Sequence, residues 1–180
     1  MTVDEFLAAY QAGKRNFQGI VLESADLFDC DIRSCDLSRA QLQRAYLPYA
    51  KLSRVRLTQA NLTGANLGNG FLQAADLSEA DLQGALLSYV NLRGATLLKA
   101  NLRSADLTGA DLTGADLTGA NLSQVNLSRA KLGRANLTNA DLRGVNLFRA
   151  QNVDLTGAIC DRTTISPDGY PLDEFEDQPM

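Results

Sequence analysis

The feature that most limits what this chain can fold into is a leucine every five residues. Steps of five from Phe17 to Leu147 visit 27 positions; 25 are Leu, and the other two are Phe17 and Ile32. Two residues before each of these, past Arg15 and Ile20, the chain is small. Ala dominates, with Val at 55, 90, 125 and 145, Cys at 30 and 35, and Gly at 70. The residue directly before the leucine is Asn or Asp at 18 of the 27 positions. The unit is A(D/N)LXX, purest between Ala105 and Ala120.

A period of five fits neither regular element. On an α-helix successive leucines would rotate by roughly 140° net and spray around all sides. On a strand every other leucine would point to the opposite face. If the chain instead turns by roughly 90° every five residues, each Leu and its preceding small residue face one central axis. Four units then close a square coil of 20 residues, and coils stack through backbone hydrogen bonds at about 4.8 Å. The small residue is needed because four leucines share a narrow interior. The 27 units make 6.75 coils, a rod about 32 Å long at that spacing.

The repeat resembles the pentapeptide repeat family over about 150 of the 180 residues. That resemblance implies an all-β chain in a right-handed quadrilateral β-helix, with Leu central and Ala as the second inward residue. The stretch Tyr10–Phe17 is similar to the leader of cyanobacterial members of the family, among them a regulator of heterocyst differentiation. Type II turns need φ > 0 at their third residue. They are expected where Gly or Asn stands second after Leu: Gly19, Gly64, Asn69, Gly84, Gly94, Gly109, Gly114, Gly119, Asn139 and Gly144.

The ends differ from the array, and the chain divides into 1–15, 16–165 and 166–180. Thr2-Val3-Asp4-Glu5 is a capping box, and Phe6, Leu7 and Tyr10 share one stripe, so residues 3–12 are expected to form a helix over the first coil. Such a lid is what a repeat array needs at an open end. The frame breaks near Ala150, where Val153-Asp154-Leu155 follows after three residues instead of five. Gln151-Asn152 reads as a bulge or irregular corner, against the alternative that the array ends at 150. The tail from Ser166 holds five acids and no base; its last residues read as disordered, with Tyr170, Leu172 and Phe175 as candidates to cover the final coil.

Composition excludes most enzyme chemistry. There is no His, hence no His-based acid, base or metal ligand. Three Cys make neither a four-thiolate zinc site nor an evident disulfide framework. Cys30 and Cys35 read as small apolar fillers, with a redox role as the alternative. Asp106, Asp111 and Asp116 fall on three different sides of the coil, so they read as turn-bonding residues and not as an acid/base pair. No cofactor or metal is expected. The acidic N-terminus lacks a targeting signal and no stretch reaches a membrane span, which reads as a cytoplasmic protein.

Outward residues on one side recur every 20, which turns sequence into a surface map. One side carries Phe28, Tyr46, Tyr49, Leu86, Tyr89 and Phe148, whereas the other sides together hold only Val21, Phe71 and Leu98. Two readings stand: a binding surface, or tyrosines that stack along the rod and fill gaps. Between Leu37 and Ala75 the sequence carries Arg39, Arg44, Lys51, Arg54 and Arg56 and no acid. A second basic cluster, Arg129, Lys131, Arg134, Arg143 and Arg149, is opposed only by Asp141. These are either a site for an acidic partner or a solvated surface.

The leading expectation is a non-enzymatic protein-protein interaction module, monomeric or weakly dimeric, with an unidentified protein partner. The resemblance supplies an alternative, since some family members mimic B-form DNA and bind DNA gyrase. That needs a strongly negative rod. Residues 16–165 hold 15 bases and 14 acids, so mimicry and nucleic-acid binding are both disfavoured.

Overall fold

The computed structural model describes residues 1–172 of the chain. It begins with α1, Val3–Gln11. The Thr2 hydroxyl accepts from the Glu5 N–H at 3.2 Å, and the Thr2 N–H donates to Glu5 Oε2 at 2.9 Å. Asp4 and Glu5 in the first turn suit the positive end of the helix dipole. At the other end Arg15 Nη1 donates to the Tyr10 carbonyl at 2.7 Å. Phe6 is wholly buried and meets Phe17 edge-to-face with ring centroids 4.7 Å apart. The aromatic in place of the first leucine is therefore the plate on which the helical lid sits.

From Asn16 the chain coils. Parallel bridges join residues 20 apart, as in Asp26 to Tyr46 to Asn66 to Leu86. With a turn every five residues, a 20-residue spacing means four sides per coil. The leucines from Leu22 to Leu147 and the small residues paired with them are buried in one continuous core. No side is long enough to become a strand; each contributes isolated bridges. The all-β expectation thus holds in its pairing and not in strand content, because a corner every five residues leaves too few extended residues between turns.

One unit shows why the consensus is what it is. In Asp106–Ala110, the Asp106 N–H donates back to the Ala85 carbonyl at 3.0 Å and the Leu107 N–H forward to Asn126 at 2.8 Å. The Gly109 N–H donates to Ser128 at 2.9 Å, and the Ala110 N–H closes the turn on Leu107 at 3.0 Å. Only the Thr108 N–H lacks a backbone acceptor, and Asp106 Oδ1 takes it at 3.0 Å. Where Asp or Asn precedes the leucine, its side chain can satisfy the one amide the coil leaves over.

The corners differ from the expectation. Every fifth residue from Gly19 to Arg149 has positive φ, among them Arg39, Arg44, Tyr49, Arg54 and Tyr89 at 55° to 60°. A square coil must close at all four corners, so side chains that rarely adopt this backbone adopt it too, at a local cost on the order of 1 kcal/mol each.

The pairing runs on beyond Ala150 with altered register. Lys131 pairs with Gln151 twenty residues on, but Asp141 pairs with Ile159 and Asn146 with Ile165, at spacings of 18 and 19. Asn152 takes an extra left-handed conformation at φ 54° where the frame shifts. Thr164, buried among apolar residues, donates its hydroxyl to the Leu142 carbonyl at 2.9 Å. The chain then reverses, with Ile165 bridging Pro171 antiparallel. Phe175 and the acids Asp173, Glu174, Glu176 and Asp177 lie outside the described residues. No helix among the described residues is long and apolar enough to cross a membrane.

Candidate interaction surface

The coil brings Phe28, Tyr46 and Tyr49 together from two successive turns. Phe28 stacks on Tyr46 with centroids 6.2 Å apart and rings 14° from parallel, and meets Tyr49 edge-to-face at 5.8 Å. All three remain about half exposed, at 54%, 46% and 47%. Leu86 and Tyr89 form a second ridge two coils further along the same side; both are exposed. The coil between them offers Asn66, Gly68 and Asn69 there, so the ridges flank a floor without large side chains. Phe148 shares the side but not the cluster: it lies three coils beyond Tyr89's rung, against Gly169 and the Arg149 guanidinium.

Two local arrangements accommodate the aromatic residues. Tyr46 stands where the coil wants Asp or Asn, so no side chain can take the N–H two residues later. That residue is Pro48, which has no N–H to satisfy. The sequence reading missed Pro48, although its position within the unit was visible. Tyr89 lies over the next corner, Gly109, where an added Cβ would sit 2.6 Å from Tyr89 Cε1. Only glycine leaves that space open.

The basic residues are less exclusive than the linear stretch suggested. Lys51 Nζ lies 3.3 Å from Asp29 Oδ1 of the preceding coil. Arg56 is paired in the ladder between Asp36 and Asp76. Arg39 Nε donates to Gln59 Oε1 at 3.1 Å, and Gln59 in turn to Glu79. Arg44 runs along the rod over Gly64. Arg54 opens into a concavity at the rim of α1, shared with Arg15 and Arg33. Coils before and after thus supply carboxylates to Lys51 and Arg56, and through Gln59 to Arg39, but not to Arg44 or Arg54.

The remaining candidates serve structure. Burial works against the carboxylates of Asp76 and Asp106, but hydrogen bonds from Ser78 and Thr58, and from Ser88 and Thr108, outweigh it and hold both below the usual range. Arg143, bound to Asp141 Oδ2 at 2.6 Å, holds that carboxyl down as well. Asp106, Asp111 and Asp116 each accept the N–H two residues on, at 3.0 to 3.1 Å. Cys30 and Cys35 are buried free thiols, and burial pushes them up to about 12 and about 11.

A family model for pentapeptide repeats matches in eight copies, in overlapping stretches from residue 25 to residue 159. The chain belongs to the pentapeptide repeat family. Pentapeptide repeats imply a right-handed quadrilateral β-helix, the architecture in which the pairing described above is read. Among solved pentapeptide repeat structures, HetL of the cyanobacterium Nostoc sp. strain PCC 7120, involved in heterocyst differentiation regulation, is 34% identical. That match covers 95% of this chain and 99% of HetL, with a TM-score of 0.44. Rfr23 of the cyanobacterium Cyanothece 51142 is 27% identical over 77% of this chain and 98% of its own, with a TM-score of 0.28. Full-length QnrB1, a plasmid-mediated fluoroquinolone resistance protein, shares the fold with a TM-score of 0.69 over 81% of this chain and 80% of its own, at 17% identity. No curated protein matches the chain.

Proposed function

We propose that this pentapeptide repeat protein is a non-enzymatic docking module whose rigid side carries Phe28, Tyr46, Tyr49, Leu86 and Tyr89 to a protein partner. The observation that carries this reading is the half-exposed stack of Phe28, Tyr46 and Tyr49. Tyr46 replaces the Asp or Asn usual at its position, and Tyr49 stands at the following corner beside it. Exposed aromatic clusters held rigidly are what binding hot spots are made of. Of the basic girdle, Arg44 and Lys51 stand at the corners and edges next to that surface, whereas Arg39, Arg54 and Arg56 continue round the rod towards the opposite side. The similarity to HetL, a protein involved in differentiation regulation, supports a regulatory setting.

The near-neutral rod speaks against the DNA-mimic reading, since a polyanion mimic must present continuous negative charge. The test of the docking reading is affinity capture from the source cell with wild type and with Tyr46→Asn/Tyr49→Asn, substitutions that suit the turns. Partners retained equally by both proteins would remove the aromatic side from the function. Strong inhibition of gyrase supercoiling by the purified protein would reinstate mimicry.

A further inference from the structure

A second concave region lies on the side of the coil next to the aromatic one, where α1 meets the first coils. On one flank Leu7, Tyr10, Gln11 and Cys30 line a hollow of about 490 Å³ closed by Asp31 and Arg33. On the other, Arg15, Arg33 and Arg54 surround a wider concavity with Ser34, Ser53 and Gln73 on its walls. Tyr10 and Arg33 line both, joined by the Tyr10 hydroxyl donating to the Arg33 carbonyl at 3.0 Å. The two hollows adjoin across Tyr10 and Arg33, one carrying the apolar residues Leu7 and Cys30 among polar ones and the other the guanidiniums.

Its charge is only partly spent. Arg33 commits Nε and Nη2 to Asp31, at 2.8 and 2.7 Å. Arg15 commits Nη1 to the Tyr10 and Lys14 carbonyls and stacks over Tyr10, 4.0 Å from its ring centroid. Each guanidinium has five N–H donors, so Nη1 of Arg33 and Nη2 of Arg15 stay available beside Arg54. Three arginines against one carboxylate, next to a hollow with Leu7, Tyr10 and Cys30 on its walls, suit a peptide with an apolar side chain flanked by acids.

The chain itself carries that chemistry in Leu172-Asp173-Glu174-Phe175-Glu176-Asp177. It cannot reach its own groove. Phe175 is three residues past Leu172, a reach of at most about 11 Å. Arg54 lies about five coils back along the rod, roughly 24 Å. We propose that the acidic C-terminal segment of one copy docks in the α1 groove of a second copy, with Phe175 in the hollow of Leu7 and Tyr10 and the carboxylates on Arg15, Arg33 and Arg54. The contact joins unlike surfaces, so it links molecules head to tail rather than closing a symmetric pair. It uses none of the aromatic-side residues Phe28, Tyr46, Tyr49, Leu86 and Tyr89.

The test is sedimentation velocity on the full chain at rising concentration, with a fluorescein-labelled peptide of residues 172–180 titrated into the full chain in parallel. The proposal expects association that weakens with salt, peptide binding, and a loss of about tenfold in both for Arg54→Glu. Neutral-tail protein (Asp173→Asn, Glu174→Gln, Glu176→Gln, Asp177→Asn) should be monomeric, and Arg54→Glu mixed with a Glu174→Arg/Glu176→Arg tail should associate again. Circular dichroism of each variant checks that it is folded. Absence of peptide binding, or self-association undiminished by the neutral tail, overturns the proposal. Peptide binding without self-association of the full chain also overturns it, and would assign the groove to an acidic segment of another protein.

Discussion

The Tyr89 ring lies on the bare Cα of Gly109, with the site of a Cβ only 2.6 Å from Cε1. Gly109 thus has two reasons to be glycine: its φ of 67° and the ring above it. Gly114, at φ 70°, has only the first, since nothing lies within 4 Å of its Cβ direction. Gly114→Ala should lower stability by about 1 kcal/mol, and Gly109→Ala by about 1 kcal/mol more because the ring must move. In a Tyr89→Ala background the two glycine substitutions should become equal. Urea unfolding of the four combinations is the measurement, and an undiminished difference would show that the ring is not what Gly109 accommodates.

Tyr46 and Pro48 form a compensating pair of another kind. Pro48→Ser restores an N–H that Tyr46 cannot accept, and should destabilise by about 1 kcal/mol or more. Combined with Tyr46→Asn, which restores the acceptor, most of that loss should return. Additive effects in the double mutant would break the hydrogen-bond explanation.

Acid should loosen the rod through its turn carboxylates. Asp36, Asp76, Asp106 and Asp111 all have folded pKa values below the ordinary one. A depressed pKa contributes stability that is complete above the unfolded value of about 3.9. That contribution is lost as pH falls through the folded values. Urea midpoints should therefore be level from pH 7 to pH 5 and fall below about pH 4. Asp106→Asn, which keeps an acceptor for the Thr108 N–H, should flatten part of that fall. A midpoint that falls equally in wild type and variant would acquit Asp106.

The thiols report on the lid. Cys160 is half-buried, while Cys30 and Cys35 lie inside, pushed up to about 12 and about 11. A thiol reagent at pH 8 should label Cys160 first, and the other two only as the N-terminal coils open. Phe6→Ala removes the ring that meets Phe17 and should cost about 3 kcal/mol or more at that end. It should speed labelling of Cys30 and Cys35 without changing Cys160. Mass spectrometry of the labelled peptides decides, and simultaneous labelling of all three in wild type would mean that α1 does not close the coil.

The buried positions were legible because the inward pair repeats without interruption. Leu87 or Ala105 can be assigned from period alone. The capping box at Thr2 and Glu5 was legible for another reason: its chemistry is local. What sequence reading missed depends on closure in space. Positive φ was expected only where Gly or Asn invites it, yet Tyr49 and Arg54 take it because the square must close whichever residue stands at the corner. The basic stretch looked free of acids because Asp29 and Asp76, which lie beside Lys51 and Arg56, are 20 or more residues away in sequence. Pro48 went unread because its meaning depends on Tyr46 two residues earlier. The clustering of Phe28, Tyr46 and Tyr49 did follow from the 20-residue map, while Phe148, assigned to the same side, is separated by three coils.

The uniform ladder has a consequence for alignment. Between Leu22 and Leu147 each rung resembles the one below it, so sliding one part of the chain past another by a full coil would exchange leucine for leucine and alanine for alanine. Little in the buried interior forbids that slip, although Tyr89 over Gly109 marks one register on the outside. The strongest core marks that do not repeat are at the extremities: the Phe6–Phe17 contact below, and the shortened spacings at Asp141–Ile159 and Asn146–Ile165 above. They act as the end stops of a ruler, which allows the number of rungs between them to be a free parameter of the architecture.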